Sequence, residues 1–140
     1  MKRSAAATIA ITIMTPERKT PESLLSVQEQ LIAREPIFHR PEFGVTRADF
    51  EAMMAEEFWE TGASGQRYSK QFILDTLVAR HAQQHDDPWE TSDFYCQQIA
   101  PDNFLLTYTL TQGARITQRM TLWRRESTRW LIVYHQGTVA

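Results

Sequence analysis

Three residues of this sequence are the candidates for proton-transfer chemistry: Glu60, Arg119 and His135. Glu60 lies between Trp59 and Gly62, and a carboxyl group beside aromatic rings has its pKa raised by desolvation, so that it can carry a proton near neutral pH. The alternative is a structural carboxylate paired with an arginine, for which Arg119 is the candidate. The pattern therefore indicates a proton carrier or an ion pair.

The register of the last two strands decides whether Arg119 and His135 can act together. An inward-facing His135 is either a general acid or base or, as we favour, a hydrogen-bonded structural histidine. If Ser127 and Thr128 alone form the turn between the strands, Arg119 and His135 point to opposite faces of the sheet. A turn of three residues would bring them together. An inward Arg119 must be paired, because an unpaired buried charge is costly.

A histidine pair lies near the end of the third predicted helix. His81 and His85 are one helical turn apart, a spacing that chelates zinc when a third ligand is present. The glutamate of a zinc-protease helix is absent from this segment, and histidine also suits the carbonyl end of a helix. We expect no metal here.

Cys96 is the one cysteine of the chain. A single cysteine excludes an internal disulfide and fits a reducing compartment. It lies between Tyr95 and Gln97 with no cation nearby in the sequence, so it is predicted to be a core thiol rather than a nucleophile.

Four aromatic residues are candidates to line a ligand pocket: Trp59, Tyr68, Tyr108 and Trp123. Aromatic walls suit flat apolar ligands, although filling the core is the commoner use of such residues.

The elements that would position these side chains begin with three predicted helices. The first begins at Thr20–Pro21, with a threonine cap and proline in the first turn, and ends at Pro36. Thr46 and Asp49 resemble a capping box at the start of the second, whose apolar face extends to Phe58. Ser69 caps the third helix, in which apolar residues recur at helical spacing.

The second half of the chain changes to strand periodicity. A tight hairpin is predicted over residues 58–68, and four strands follow over 89–99, 104–111, 116–125 and 130–136. Short turns between successive strands predict an antiparallel meander. Helices followed by strands predict an α+β fold, with the helices on one face of a curved sheet. Such a cone encloses a pocket between its two layers.

Length and composition predict one soluble domain. The chain has 140 residues, 42% of them hydrophobic and 23% charged, with a formal net charge of −2. We take residues 1–20 as a flexible tail and 21–140 as the domain. No basic excess favours nucleic acid or an anionic membrane. The first residues resemble a signal peptide weakly, and a true start at Met14 is the alternative; a cytoplasmic location is expected.

Three segments resemble the nuclear-transport-factor-2-like (NTF2-like) superfamily, and within it the DUF4440 or SnoaL-like group: Phe58–Ser69, Arg119–Arg124 and Trp130–Thr138. The turn after Glu60 and the closing His-Gln-Gly-Thr are the most specific parts. The resemblance extends from about residue 22 to the end. It implies three N-terminal helices on a strongly curved antiparallel sheet, and homodimers formed through that sheet.

The resemblance also implies candidate roles for individual residues. Isomerase-like members place a carboxylate base on the strand before the third helix, where Glu60 stands. Their oxyanion donors are a tyrosine and an aspartic acid, whereas the later strands here offer Tyr108, Arg119 and Thr121. Cyclase-like members use a histidine and an aspartate, and His135 could supply half of that pair.

The sequence therefore indicates three alternative functions. The first is binding of a small apolar or ring-containing molecule in the cone. The second is a cofactor-free isomerase, cyclase or dehydratase, in which Glu60 moves a proton while Arg119 or His135 steadies the oxyanion. The third is a protein-interaction module that uses the exposed sheet face. No cofactor, nucleic acid or membrane is expected to take part in any of them.

Overall fold

The computed structural model describes residues 14–83 and 88–140, which form a layer of helices packed on one sheet. Three α-helices occur among these residues: α1, Leu25–Ile32; α2, Arg47–Met53; and α3, Lys70–Ala82. The strands are β1, Met54–Thr61; β2, Arg67–Ser69; β3, Glu90–Ala100; β4, Asn103–Gln112; β5, Arg115–Glu126; and β6, Arg129–Val139.

The sheet is curved, with the order β2-β1-β6-β5-β4-β3. The predicted meander is confirmed over β3 to β6, and the α+β class is confirmed with it. Strand β1 lies parallel to β6, so the sheet is mixed rather than wholly antiparallel. This pairing makes the last strand of the chain a central one. The middle of β6 therefore faces the helices instead of lying at an edge.

Local signals set the starts of two helices as predicted. At α2 the Thr46 hydroxyl accepts from the backbone N–H of Asp49 at 3.1 Å, and the Asp49 carboxylate accepts from the backbone N–H of Thr46. This reciprocal pair is the capping box. At α3 the Ser69 hydroxyl accepts from the backbone N–H of Phe72 at 3.2 Å. Both caps satisfy N–H groups that have no partner within the helix.

The start of the first helix differs from the prediction. Pro21 precedes a 3-10 turn over Glu22–Leu24, and no side chain caps that turn. The Thr20 hydroxyl instead bonds the Gln28 side chain and accepts from the backbone N–H of Cys96 at 3.0 Å. Thr20 therefore ties the start of the domain to the edge strand β3, a role that helix-capping rules do not predict. Residues 1–13 of the predicted tail lie outside the described residues, and residues 14–19 are exposed.

Strand β1 begins four residues before the predicted position. The sequence places Met54 to Phe58 on a helix face, but the backbone is already extended at Met54. Met54 pairs with Ile132 of β6, and the neighbouring strand supplies the hydrogen bonds that a longer helix would have made internally. Phe58 keeps its predicted burial, since it packs in the core from the strand instead.

The core lies between the helices and the inner face of the sheet. Its largest fully buried side chains include Trp123, Tyr108 and Phe104. The segment that follows α1 also enters this interior, because Glu35 and Ile37 are both buried there. The helices therefore do not close the cone by themselves; a loop from residue 33 to 38 fills part of it.

Candidate functional site

Strand register brings the predicted site residues onto the inner face of the sheet. Glu60 of β1 lies opposite His135 of β6, and His135 lies opposite Thr121 of β5. Arg119 is two residues from Thr121 and pairs with Tyr108 of β4. These side chains therefore project from four adjacent strands toward the helices.

A β-bulge puts Arg119 and His135 on one face. The β5–β6 turn has two residues, with Glu126 opposite Arg129, which by simple counting separates Arg119 from His135. The register shifts by one residue beyond Trp123, because Val133 is an extra residue in β6. Thr121 therefore faces His135. The two-residue turn and the shared face occur together, a combination that neither predicted register contained.

A directed chain of hydrogen bonds joins Arg119 to the interior. Arg119 Nη1 lies 3.4 Å from His135 Nε2, and His135 Nδ1 lies 2.8 Å from the Thr121 hydroxyl. Because a guanidinium can only donate, Nε2 is the acceptor and Nδ1 carries the hydrogen that Thr121 accepts. The Thr121 hydroxyl in turn bonds the Glu35 carboxyl.

His135 is held neutral by this setting. Burial, together with the nearby charges of Arg119 and His39, lowers its pKa to about 3. A neutral imidazole is what the hydrogen-bond pattern requires, since Nε2 accepts from Arg119. The geometry therefore favours the structural interpretation of His135, in which the neutral imidazole accepts a hydrogen bond from Arg119 and orients it.

Glu35 is the site residue that the sequence did not reveal. Its side chain is fully buried, with 0% exposure. It accepts from the Tyr108 hydroxyl at 2.8 Å, from Trp123 Nε1 at 3.1 Å and from the backbone N–H of Ile37 at 3.1 Å. Burial raises its pKa from 4.5 to about 7, against the opposing effect of these hydrogen bonds. Glu35 is therefore a buried acid that titrates near neutrality.

Glu60 has a different environment at the side of a cavity. Burial raises the pKa of this carboxyl, while the charges of Arg119 and Arg80 oppose the rise. No described residue forms an ion pair or side-chain hydrogen bond with its carboxylate. The predicted Glu60–Arg119 ion pair is thus absent within the described part of the chain, although the two side chains line the same cavity.

That cavity, here called the polar cavity, has a volume of about 300 Å³. It lies between α3, the segment around residue 37 and the inner ends of β4 and β5. The residues that line it are Pro36, Ile37, Phe38, His39, Glu60, Ile73, Leu77, Arg80, Tyr108, Leu110, Gln112, Arg115, Arg119 and His135.

A second cavity, of about 280 Å³, occupies the other end of the cone. We call it the aromatic cavity. It is lined by Arg34, Phe38, Arg40, Phe43, Asp49, Ala52, Met53, Trp123, Thr128, Arg129, Trp130 and Ile132. Phe38 lines both cavities, and Glu35 bonds one wall residue of each, Tyr108 and Trp123. The 33–38 segment thus divides the predicted single hollow into two.

The four aromatic candidates are spread over the molecule. Tyr108 lines the polar cavity and Trp123 the aromatic one. Tyr68 stacks on Phe72 with ring centroids 5.0 Å apart, beside α3. Trp59 is 43% exposed and contacts Tyr134 on the outer face of the sheet. The structure therefore brings Tyr108 alone of the four into the cavity with Glu60, Arg119 and His135.

The predicted core thiol is buried, and burial raises the pKa of Cys96 to about 11. The histidine pair is not tested, since His85 lies outside the described residues. Over residues 14–83 and 88–140, no cluster of three or more histidine, cysteine or acidic side chains has the geometry of a metal site. None of the helices in these ranges has the length and apolar character needed to cross a bilayer.

Comparison with known proteins identifies the fold. The chain matches no family model and no curated protein. Among solved structures, an NTF2-like protein from Cytophaga hutchinsonii is 10% identical with a TM-score of 0.61, covering 87% of this chain and 100% of the other. An NTF2-like protein of unknown function in nutrient uptake, from Rhodospirillum rubrum, is 15% identical with a TM-score of 0.60, covering 84% and 98%.

An uncharacterised protein with a cystatin-like fold from Caulobacter vibrioides gives a TM-score of 0.63 at 15% identity, covering 86% of this chain and 91% of the other. At these identities the similarity establishes the fold, and the chemistry has to be argued from the side chains.

Proposed function

We propose that this chain, which has the NTF2-like fold, binds a small molecule with a ring or an apolar body in its polar cavity. The observation that carries the proposal is the cavity itself, whose lining combines charged side chains with apolar ones. Ile73 and Leu77 of α3 and Leu110 of β4 are the apolar part of the lining, and Glu60 and Arg119 are charged. Ligand sites commonly combine an apolar lining with a few polar groups that fix orientation.

A thermal-shift screen with small ring compounds tests this proposal. Gln112 lines the cavity from the end of β4, so Gln112→Trp fills the space without touching the hydrogen-bonded chain. Binding should raise the melting temperature of the unchanged protein and should be lost in Gln112→Trp. Gln118→Trp, on the exposed outer face of β5, is the matched control and should bind normally. Equal responses in both variants would place binding elsewhere.

A second candidate function is cofactor-free proton transfer by Glu60. Its carboxylate is unpaired among the described residues, its pKa is raised, and Arg119 lines the same cavity. The Glu60 carboxylate would take a proton from the carbon next to a carbonyl and return it at the conjugated position, while Arg119 stabilises the enolate oxygen. The bonds made and broken then amount to an isomerisation.

The test uses a β,γ-unsaturated cyclic ketone, whose conversion to the conjugated isomer is followed by ultraviolet absorbance. Glu60→Gln keeps the shape of the side chain but cannot accept the proton, so the rate should fall by about 100-fold or more. The same rate in Glu60→Gln and in the unchanged protein would end this candidate.

We propose that the chain belongs to the DUF4440 or SnoaL-like group, on the residues of its last strand. His135 and Gly137 of the His-Gln-Gly-Thr motif both contact Arg119, the former by hydrogen bond and the latter by close packing. These two contacts explain why a histidine and a glycine occur in the motif, and they support the proposal. A cytoplasmic location is proposed with it, since the one cysteine is a buried thiol.

We further propose a homodimer that forms through the outer face of the sheet. Trp59, Tyr134, Leu122 and Leu105 lie opposite one another in register across four strands of that face. Such a continuous apolar row is suited to cover by a second copy. Light scattering should give twice the chain mass, and Leu122→Arg should give the monomer mass with unchanged ligand binding. A monomeric unchanged protein would refute the dimer.

A further inference from the structure

We infer that the ligand of the polar cavity is a small monocarboxylic acid, and that Arg119 binds its carboxylate. This inference rests on the proposed binding function and adds the chemical class of the ligand. It follows from three features of the cavity: its charge, the way in which Arg119 is held, and its size.

The charge of the cavity is positive. Its described lining contains three arginines, Arg80, Arg115 and Arg119, against one carboxylate, Glu60. His135 adds no charge, because burial keeps it neutral. A cavity with an excess of cations concentrates anions. Of the three arginines, Arg119 is the one that hydrogen bonds to described residues hold in place, so the cavity has one preformed site for a carboxylate.

Arg119 is held in place by neutral groups on one side. Its Nε donates to the Thr117 hydroxyl at 2.9 Å, and Nη1 lies 3.4 Å from His135 Nε2. The guanidinium also lies against Gly137 of β6, where a Cβ atom would come within 3.0 Å of its central carbon. Glycine at this position therefore makes room for the flat face of the guanidinium.

On its other side Arg119 lacks a counter-ion among the described residues. No described carboxylate lies within ion-pair distance of it, and burial lowers its pKa, although the charges of Glu60 and Glu35 oppose that change. A desolvated cation without an anion is costly, and a guanidinium offers paired N–H groups that match a carboxylate. The arrangement fixes the donor side chain in advance and leaves the anion to be supplied by the ligand.

The size and walls of the cavity limit the rest of the ligand. A volume of about 300 Å³ is at the small end of the roughly 300–1,000 Å³ typical of ligand pockets. Ile73 and Leu77 of α3 and Leu110 of β4 also line the cavity and would contact an apolar or ring body. The acid that fits is therefore compact, with one carboxylate at Arg119 and hydrocarbon against Ile73 and Leu77.

Calorimetric titration with matched pairs of probes tests the inference. The acids are benzoate, phenylacetate and 3-phenylpropionate, and each is paired with its neutral primary amide. At least one acid should bind about ten- to a hundredfold more tightly than its amide, the range expected for hydrogen bonds to a charged group. Raising the salt concentration should weaken the binding of the acid and leave the binding of the amide unchanged.

Two variants locate the charge. Arg119→Gln should remove the preference for the acid. Gly137→Ala keeps the arginine but displaces its guanidinium, and should weaken the binding of the acid at least threefold. This variant tests the role of Arg119 even if Arg119→Gln fails to fold. Arg47→Gln, which loses an exposed ion pair with Asp75, is the control and should match the unchanged protein.

The outcomes separate this inference from the function on which it rests. If amides bind as tightly as acids and Gln112→Trp abolishes both, the binding function stands and the carboxylate assignment is wrong. If acids bind equally well to the unchanged protein, Arg119→Gln and Gly137→Ala, Arg119 is not the anchor and the inference is overturned. If no probe binds, the proposed function and the inference both fail for this ligand class.

Discussion

Two carboxyl groups lie inside this cone, and their surroundings are opposite. Glu35 is fully buried and receives donors from Tyr108, Trp123, Thr121 and the backbone of Ile37. Glu60 lines a cavity and receives no side-chain hydrogen bond from any described residue. Burial raises the pKa of both. The difference between them is the number of fixed partners, and that number separates a structural acid from one available to a ligand.

The comparison also explains how the cavity residues are held. Glu35 anchors the end of the chain that runs through Thr121 and His135 to Arg119. Glu35, which has fixed hydrogen-bond partners, therefore helps to position the residues around Glu60, which has none among the described residues. A buried network stabilises a fold only when every member is satisfied, and this one is continuous from the interior to the cavity.

The largest expected effect is the loss of Glu35. Glu35→Leu leaves the Tyr108 hydroxyl, the Trp123 indole N–H and the Ile37 amide without an acceptor in a dry interior. Each orphaned donor costs about 1–3 kcal/mol, so the loss of three acceptors should lower the free energy of unfolding by at least about 3 kcal/mol. Urea titration at pH 7 measures it.

Glu60→Leu is the matched control for that experiment. The same substitution at the cavity wall removes no hydrogen bond to a described residue, so the change should stay within about 1 kcal/mol. Equal losses for the two variants would contradict the contrast between the two acids.

The second effect is a pH dependence with two opposing parts. The folded chain keeps a proton on Glu35 up to about pH 7, whereas the unfolded chain releases it near 4.5, so stability falls as pH rises across that window. His135 acts in the other direction. The unfolded chain protonates it below 6.5 and the folded chain only near 3, so stability falls as pH falls from 6.5 to 3.

Between pH 4.5 and 6.5 these two contributions should cancel in the unchanged protein. Glu35→Gln leaves the His135 part, and its stability should rise by about 3 kcal/mol over that window. His135→Gln leaves only the contribution of Glu35, so its stability should fall by about the same amount over that window. Urea titrations at pH 4.5, 5.5 and 6.5 measure both slopes. Parallel slopes in the two variants would show that one of these groups has an ordinary pKa.

Local signals in the sequence were enough for much of the fold. Thr46 and Ser69 are within three residues of the N–H groups that they cap, so their role follows from spacing. The four-strand meander likewise follows from short turns and alternation. These features depend on interactions between near neighbours, which a single sequence displays directly.

The geometry of the site depends on distant contacts that spacing does not display. Glu35 meets its partners on β4 and β5 across 73 and 88 residues, and its only local sign is a position just before Pro36. The bulge at Val133 is equally hidden, yet it determines that Arg119 meets His135. The residue types of the cavity could be predicted, whereas their shared face and their buried anchor required the tertiary structure.

The smallest expected effect concerns one donor to Glu35. Tyr108 stays protonated, because burial and the nearby Glu35 carboxylate raise its pKa. Its hydroxyl lowers the pKa of Glu35, so Tyr108→Phe should move the titration of Glu35 above about pH 7. The loss of stability should be about 1–2 kcal/mol at pH 8, where the carboxylate needs the donor.

At pH 5 the loss in Tyr108→Phe should be smaller, because Glu35 is then protonated in the folded chain and a neutral acid depends less on that donor. Tyr134→Phe is the control: its hydroxyl bonds Thr61 and Gln136 on the outer face, far from either acid. Its loss should be the same at both pH values. If the loss in Tyr108→Phe were also the same at both pH values, the Tyr108 hydroxyl would not stabilise the ionised form of Glu35. The contrast between a hydrogen-bonded Glu35 and an unbonded Glu60 would then be wrong.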